Sequence, residues 1–481
     1  MFLGIDIGTS EVKALLLDER HRIVASTGSA LGISRPHAGH SEQLPQDWWA
    51  AVQSALLALR LAQPAAYSAV QAIGLSGQMH GAVLLDSNNT VLRPAILWND
   101  TRASLECAQM MESLPSLPQL AGSLVMPGFT APKLRWLAKH EPQVFERVAK
   151  VLLPKDYVRF LLTDDFVTDM SDASGTAWLD VEKRDWSDAL LGLTALTRQH
   201  MPRLVEGSQA SGVLSVTAAN LLGLKPGIVV AGGGGDNAAS AVGMGAVDAG
   251  QGFLSLGTSG VLFLVTPNYM PNPASATHAF CHALPGSWHQ MSVMMSAASC
   301  LQWVTHLLGA ESEAAMQAKA SALTLSEREA APIFLPYLSG ERTPHNSASV
   351  RGSFHRLSHD THAAHLAYAV MEGVTFGLRD GLRALQMAGC AAHRLSLVGG
   401  GSRSAFWARQ LSASLNLEIV THGGSTAGGA LGAARLAALA VGGDIAAVCT
   451  VPQIDRVFTP DAAEQALLGP RYEQFRQLYR A

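Results

Sequence analysis

Charge is scarce in this 481-residue sequence: Asp, Glu, Lys and Arg make up 15% of it, against roughly a quarter of an average soluble chain. The 34 basic and 38 acidic residues leave a formal net charge of −4. Neither a basic excess nor a Lys/Arg run is available to neutralise phosphates, which disfavours a nucleic-acid binder. Disorder is excluded from the other side, because 48% of the residues are hydrophobic and a disordered chain needs low hydrophobicity with high charge. Long apolar runs are missing too. The nearest candidate, Ala427 to Cys449, contains Arg435, Asp444 and five glycines and reads as an Ala-rich packed helix followed by a loop. Cysteine is sparse: five scattered residues with no C-x-x-C suggest neither a disulfide framework nor a metal cage. Asp6 interrupts the first apolar run and no basic segment precedes it, so no secretory leader is expected. A cytoplasmic enzyme working away from membranes and nucleic acid is the expectation.

Familiar nucleotide and hydrolase motifs are also absent. A Walker A loop needs Gly-Lys, a dipeptide that occurs nowhere in the sequence. There is no G-x-G-x-x-G leading from a strand into a helix, and no H-R-D with D-F-G, H-E-x-x-H or G-x-S-x-G. A nucleotide would have to be held by another loop design.

What is present begins with strand, tight turn, strand: Phe2 to Ile7, Gly8-Thr9-Ser10, then Val12 to Leu17. The same pattern returns as Gly252 to Leu256, Gly257-Thr258-Ser259, then Val261 to Val265. The echo implies two halves built on one core, with the boundary near the run Gly232 to Gly235 and lobes of 1–243 and 244–481. Strands alternating with helices make the class α/β with mixed sheets. The tail Ala462 to Ala481 reads as a helix broken at Pro470, with the option of packing back on the first lobe.

A Gly-Thr turn is either an ordinary hairpin or a phosphate grip, in which backbone N–H groups approach an anion and a hydroxyl adds a donor. Two such turns in matching halves favour the grip: Gly8, Thr9 and Ser10 at one end of a polyphosphate, Gly257 and Thr258 at the other. Asp6 lies on the same strand face as Gly8, where a carboxylate suits hydrated Mg²⁺. The glycine run ends in Asp236-Asn237, which is either a helix cap or a carboxylate able to take a proton from an attacking sugar hydroxyl. Gly77-Gln78-Met79-His80-Gly81 and Trp98-Asn99-Asp100 each follow an apolar strand. They are either turns with stray polar groups or a polyol site rich in donors and acceptors. Gly399-Gly400-Gly401 ends the strand Leu395 to Val398 and precedes a helix, Ala405 to Leu415. Backbone there could lie flat against an adenosine.

These segments, in this order, resemble the FGGY family of carbohydrate kinases within the actin-like ATPase superfamily. The likeness covers nearly the whole chain. Gly128-Phe129-Thr130-Ala131-Pro132-Lys133-Leu134-Arg135-Trp136-Leu137-Ala138-Lys139-His140 is similar to a family signature. Ser76 to Gly81, Ile96 to Asp100, Leu153 to Tyr157, Ser171 to Thr176 and Leu335 to Pro344 bring it nearest to members that act on D-xylulose. The resemblance implies two ribonuclease-H-like lobes with MgATP and sugar in the cleft between them. It implies ATP-dependent phosphorylation of D-xylulose, or of another ketose or polyol such as ribulose. By the same resemblance Asp236 is the general base, and Met79, His80, Asn237 and Trp98 contact the sugar. Gly8, Thr9, Ser10, Gly257 and Thr258 hold the phosphates. Gln302, Gly400 and Gly401 face the adenosine, and Asp6 faces the metal. A homodimer is a family-level expectation. One departure is Arg356, which stands where the family's second signature usually has Gly and puts the local backbone conformation in question.

Overall fold

The computed structural model describes residues 1–423 and 428–480. Gly424 to Ala427 and Ala481, which overlap the expectations above, lie outside them. The opening strand Phe2–Ile7 is buried along its length apart from a partly open Asp6. It reads as a continuous apolar run because both faces of its sheet are covered. Helices Pro45–Ala62 and Pro154–Thr163 lie on one side and Gly428–Ala440 on the other. This last helix sits directly on the strands. A Cβ at Gly4 would come 2.0 Å from the carbonyl oxygen of Ala430, and one at Gly74 1.8 Å from that of Ala433.

The first sheet runs Ala210–Val213, Val229–Ala231, Ala72–Gly77, Phe2–Ile7, Glu11–Leu17, Ile23–Ala30, with the short strand Gly234–Gly235 also on Ala72–Gly77. The second runs Ile454–Phe458, Glu418–His422, Arg394–Val398, Gly252–Leu256, Gly260–Thr266, Trp288–Met294, His278–Cys281. Strand for strand the directions agree. An antiparallel hairpin and its third strand join two parallel neighbours, and an antiparallel outer strand closes the set. The second sheet carries one further strand, His278–Cys281. The repeated Gly-Thr-Ser segments occupy the same place in both sheets, at the turn of the central hairpin.

Two expectations about the C-terminal half are corrected. The last helix, Ala462–Arg480, runs unbroken through Pro470. It packs on the second lobe, not the first: the Arg471 guanidinium pairs with Glu372 at 2.6 and 2.7 Å, and Tyr472 donates to Asp380 at 2.5 Å. Arg471 also donates to the carbonyls of Glu329, Ala331 and Pro332. These contacts outweigh proline's local penalty of roughly 3 kcal/mol. The segment that does cross to the first lobe is Gly428–Ala440. Arg356 adopts φ +66, the left-handed region glycine favours, and its guanidinium bonds Gln474 Oε1 at 2.8 Å. The family's glycine there therefore has a conformational reason. Among the described residues no helix is long and apolar enough to cross a membrane.

Candidate active site

Sheet register brings distant parts of the sequence together at one edge. Asp6 pairs with Ser76, and Ser76 pairs in turn with Gly234. Two residues on, Asp236 begins the helix Asp236–Met244. Its side chain does not cap that helix, and Gly235 holds the cap position instead. One carboxylate oxygen, Oδ1, accepts from Asn237 N at 2.7 Å and Asn237 Nδ2 at 3.0 Å. Burial, reinforced by the charge of Asp6, pushes the Asp236 carboxyl up to about 7. Burial raises Asp6 as well, and its Oδ1 has no hydrogen-bond partner. Gly429 packs closely against it: a Cβ there would stand 2.8 Å from Asp6 Oδ1 and 2.7 Å from Ser76 Oγ.

The loop carrying Asp236 is gripped from behind. Gly235 N donates to Ser171 Oγ at 3.1 Å, and Ser171 Oγ donates to Asp169 at 2.5 Å. Arg159 donates to the carbonyls of Ala231 and Gly232. Behind these, fully buried Lys155 lies 2.6 Å from Asp156, 2.8 Å from Asp169 and 3.0 Å from Asp172. A buried charge network is tolerable only when its members satisfy one another.

The second edge feature is the turn Gly77 to Gly81. His80 sits there at φ +70, a costly conformation for a residue with a side chain. Its carbonyl is held by Thr130 Oγ1 at 3.1 Å and Lys133 Nζ at 2.9 Å, and Lys133 also reaches the carbonyl of Ile96 at 3.0 Å. Phe129 stacks on the imidazole with centroids 4.6 Å apart. These contacts give the signature Gly128 to His140 a physical role as a clamp over the turn. His80 Nδ1 lies 2.6 Å from the carbonyl oxygen of Gly175. A carbonyl can only accept, so Nδ1 carries the proton and Nε2 is left as an acceptor. Burial takes this imidazole down to about 3, so it is neutral at physiological pH. Met79 packs against Gly235, where a Cβ would come 2.9 Å from its Cγ. Trp98 is 46% exposed and donates through Nε1 to Thr9 Oγ1 at 3.0 Å. Asp100, by contrast, is a structural ion: buried, it accepts from Ser41 N at 2.7 Å and pairs with Arg102 at 2.7 Å.

In the second lobe Gly257, Thr258, Gln302, Gly400 and Gly401 line one cavity of about 520 Å³, with Glu313, Gln317, Arg403 and Trp407. A neighbouring cavity of about 450 Å³ is lined by Lys13 of the first lobe and by Gly399, Gly400, Arg403, His422 and Arg456 of the second. Asp455 also lines it, 3.3 Å from Arg456, and the low overall charge gave no sign of this local cluster of charges, because its members come from distant parts of the sequence. Among the described residues no three His, Cys, Asp or Glu side chains form a metal cluster. A cation at Asp6 would therefore be held mainly by water and substrate oxygens.

Sequence reasoning left several contributors without a role: Gln43, Lys133, Arg159, Gly175 and Arg342. Burial depresses both His80 and His278, and the Arg342 charge, carried by the second lobe, adds to it. Its segment belonged to the resemblance, but nothing in the local pattern showed which way it faced.

Two matched ribonuclease-H-like lobes with the same Gly-Thr-Ser turn at their central hairpins define the actin-like class of phosphotransferase fold. Residues 1–243 match the N-terminal domain, and residues 252–441 the C-terminal domain, of the FGGY family of carbohydrate kinases. The chain belongs to that family. It is 48% identical to a xylulose kinase of Escherichia coli (strain K12), over 100% of this chain and 98% of that one. Among solved structures it is similar to a xyloylose kinase from Brucella ovis, with a TM-score of 0.96, 49% identity, and 100% and 98% of the two chains covered. A xylulose kinase from Rhodospirillum rubrum superposes with a TM-score of 0.93 at 28% identity, covering 100% of this chain and 98% of its own.

Proposed function

We propose that this carbohydrate kinase transfers the γ-phosphoryl group of ATP to the terminal hydroxyl of D-xylulose, giving D-xylulose 5-phosphate. The observation that carries the reading is Asp236, a carboxylate raised to about 7, at the end of the same sheet as the Met79–His80 turn. Full-length likeness to the Escherichia coli xylulose kinase supports the choice of sugar.

In this reading Asn237 fixes one oxygen of Asp236 and leaves the other to take the proton of the attacking hydroxyl. An Asp raised toward neutrality is matched to that task, because it takes up a proton readily at working pH. His80 Nε2 accepts from a second sugar hydroxyl, while Met79 and Trp98 supply the walls. Phosphates lie against the backbone of Gly8, Thr9, Ser10 and Gly257 and the hydroxyl of Thr258. The adenosine occupies the cavity of Gln302, Gly400 and Gly401. Asp6, a buried carboxylate whose Oδ1 has no hydrogen-bond partner, would hold a hydrated Mg²⁺, which when bound would neutralise charge on the phosphate oxygens. The first lobe, 1–243, thus carries the sugar and the second, from 244, carries the nucleotide.

A coupled ADP-release assay over D-xylulose, ribulose and a panel of other ketoses and polyols tests the sugar. The expected result is the highest kcat/KM on D-xylulose. A higher value on any other member of the panel replaces it as the substrate.

A further inference from the structure

We infer that the Thr9 hydroxyl is a positioning group for the sugar turn Gly77 to Gly81 and not a ligand of phosphate. The inference rests on the sugar-kinase reading above. It follows from donor and acceptor capacities traced from a fixed starting point. The indole Nε1–H of Trp48 can only donate, and it lies 3.0 Å from Gln43 Oε1. That assignment orients the Gln43 amide, whose Nε2 donates to the carbonyls of Thr9 at 2.7 Å and Gly32 at 2.8 Å. Gln43 Oε1 also accepts from Gln78 Nε2 at 2.9 Å, which orients the second amide. Gln78 Oε1 therefore faces Thr9 Oγ1 at 3.1 Å and, as an acceptor, must receive the hydroxyl proton. The other contact of Thr9 Oγ1 is the Trp98 indole donor at 3.0 Å.

A hydroxyl has one proton, and here Gln78 takes it. An ionised phosphate oxygen accepts only, so Thr9 could donate to it only by giving up Gln78. Both partners of the hydroxyl lie on the sugar side: Gln78 begins the turn that carries Met79 and His80, and Trp98 is a proposed sugar wall. Both amides are nearly inaccessible, with Gln43 4% and Gln78 2% exposed, so water is poorly placed to replace a lost partner. Thr258, in the matching turn, is exposed. Its hydroxyl makes no hydrogen bond among the described residues, and it remains free to donate.

The test is Thr9→Val, which keeps the side-chain shape and removes the hydroxyl, with Thr9→Ser as the conservative rescue. Binding of a non-hydrolysable ATP analogue, and of D-xylulose or whichever panel sugar the wild type turns over, is measured by calorimetry alongside both KM values. The expected result is a sugar Kd and KM raised ~5- to 10-fold in Thr9→Val, an ATP-analogue Kd within about threefold of wild type, and near-complete recovery in Thr9→Ser. Gln78→Met should reproduce the pattern. Gln78→Met also removes the bond to Gln43 and Thr9→Val the bond from Trp98, so the double variant should be worse than either single one but fall short of the product of the two single effects, because the Thr9–Gln78 bond is lost in both. A rise in the ATP-analogue Kd beyond threefold, with or without a sugar effect, overturns the inference, and so does an unchanged sugar Kd. Wild-type turnover in the same assay judges the sugar-kinase reading separately, since the binding ratios do not depend on it.

Discussion

The two Gly-Thr-Ser turns share a sequence, a place in the sheet and a hairpin, yet their hydroxyls have opposite situations. Thr9 is tied to Gln78 and Trp98. Thr258 is exposed, and its turn is held through the backbone: Ala297 N and Ser299 Oγ donate to its carbonyl at 2.9 and 2.8 Å. The first turn is packed against Gln78 and Trp98 and the second against the start of the helix Ala298–Leu307. Duplication supplied identical loops, and neighbours from elsewhere in the chain gave one loop's hydroxyl a partner. A repeated motif therefore reports a shared backbone more dependably than a shared side-chain role.

The largest expected effect probes an asymmetry between the lobes: Asp236, the raised carboxylate of the proposed chemistry, is carried by the first of them. Asp236→Ala should lower kcat by roughly 10²- to 10⁴-fold with ATP affinity within about threefold, measured by steady-state kinetics and calorimetry. Turnover within tenfold of wild type would remove Asp236 from the chemistry and the asymmetry with it. The pH profile asks the same question without mutation. Asp236 must be ionised to take a proton, and in the free enzyme it stands at about 7. The kcat/KM should fall about tenfold per unit below that pH and level off above it. A profile flat from pH 5 to 8 would contradict the raised carboxyl.

Thr258→Val sharpens the comparison of the turns themselves. It should raise the ATP KM ~5- to 10-fold and leave the sugar KM within about twofold, the mirror of the result expected for Thr9→Val. Equal effects of the two variants on ATP would show that the turns work alike despite their different contacts. The smallest effect is on stability. Asp236 has a folded value near 7 against 3.8 for the free group, so the folded state binds the proton more tightly. Stability is lost as pH rises between those values, and the cost is fully present above pH 7. Asp236→Asn should therefore raise the melting temperature of the nucleotide-free enzyme by a few degrees at pH 8 and leave it unchanged near pH 4. A lower Tm at pH 8 would place the carboxylate among stabilising contacts.

Much of the frame was legible from periodicity and echo. The strands around both turns, the strand before Gly399 and the helix Ala405–Leu415 fall where apolar runs and glycines placed them. Segments at Met79–His80, Trp98 and Asp236 stood out because each ends an apolar strand at a glycine or polar cluster. Pro470 misled because its penalty is local and the compensation from Arg471 is not. Asp236 beside its helix could not be told from a cap, since either role puts a carboxylate at a helix start. Asp100, whose segment read as either a turn or a polyol site, is a buried ion-pair partner of Arg102.

The sequence by itself determined the α/β class, the duplication, the family and the short segments able to carry chemistry, because these are set by local pattern and by order along the chain. Only the tertiary structure decided which carboxylates are raised, which imidazole nitrogen keeps its proton, which threonine is free and which helix crosses between lobes. Those outcomes depend on burial and on partners tens to hundreds of residues away. A hydroxyl's single proton goes to whatever acceptor the fold brings within reach, and nothing adjacent to Thr9 in the sequence names Gln78.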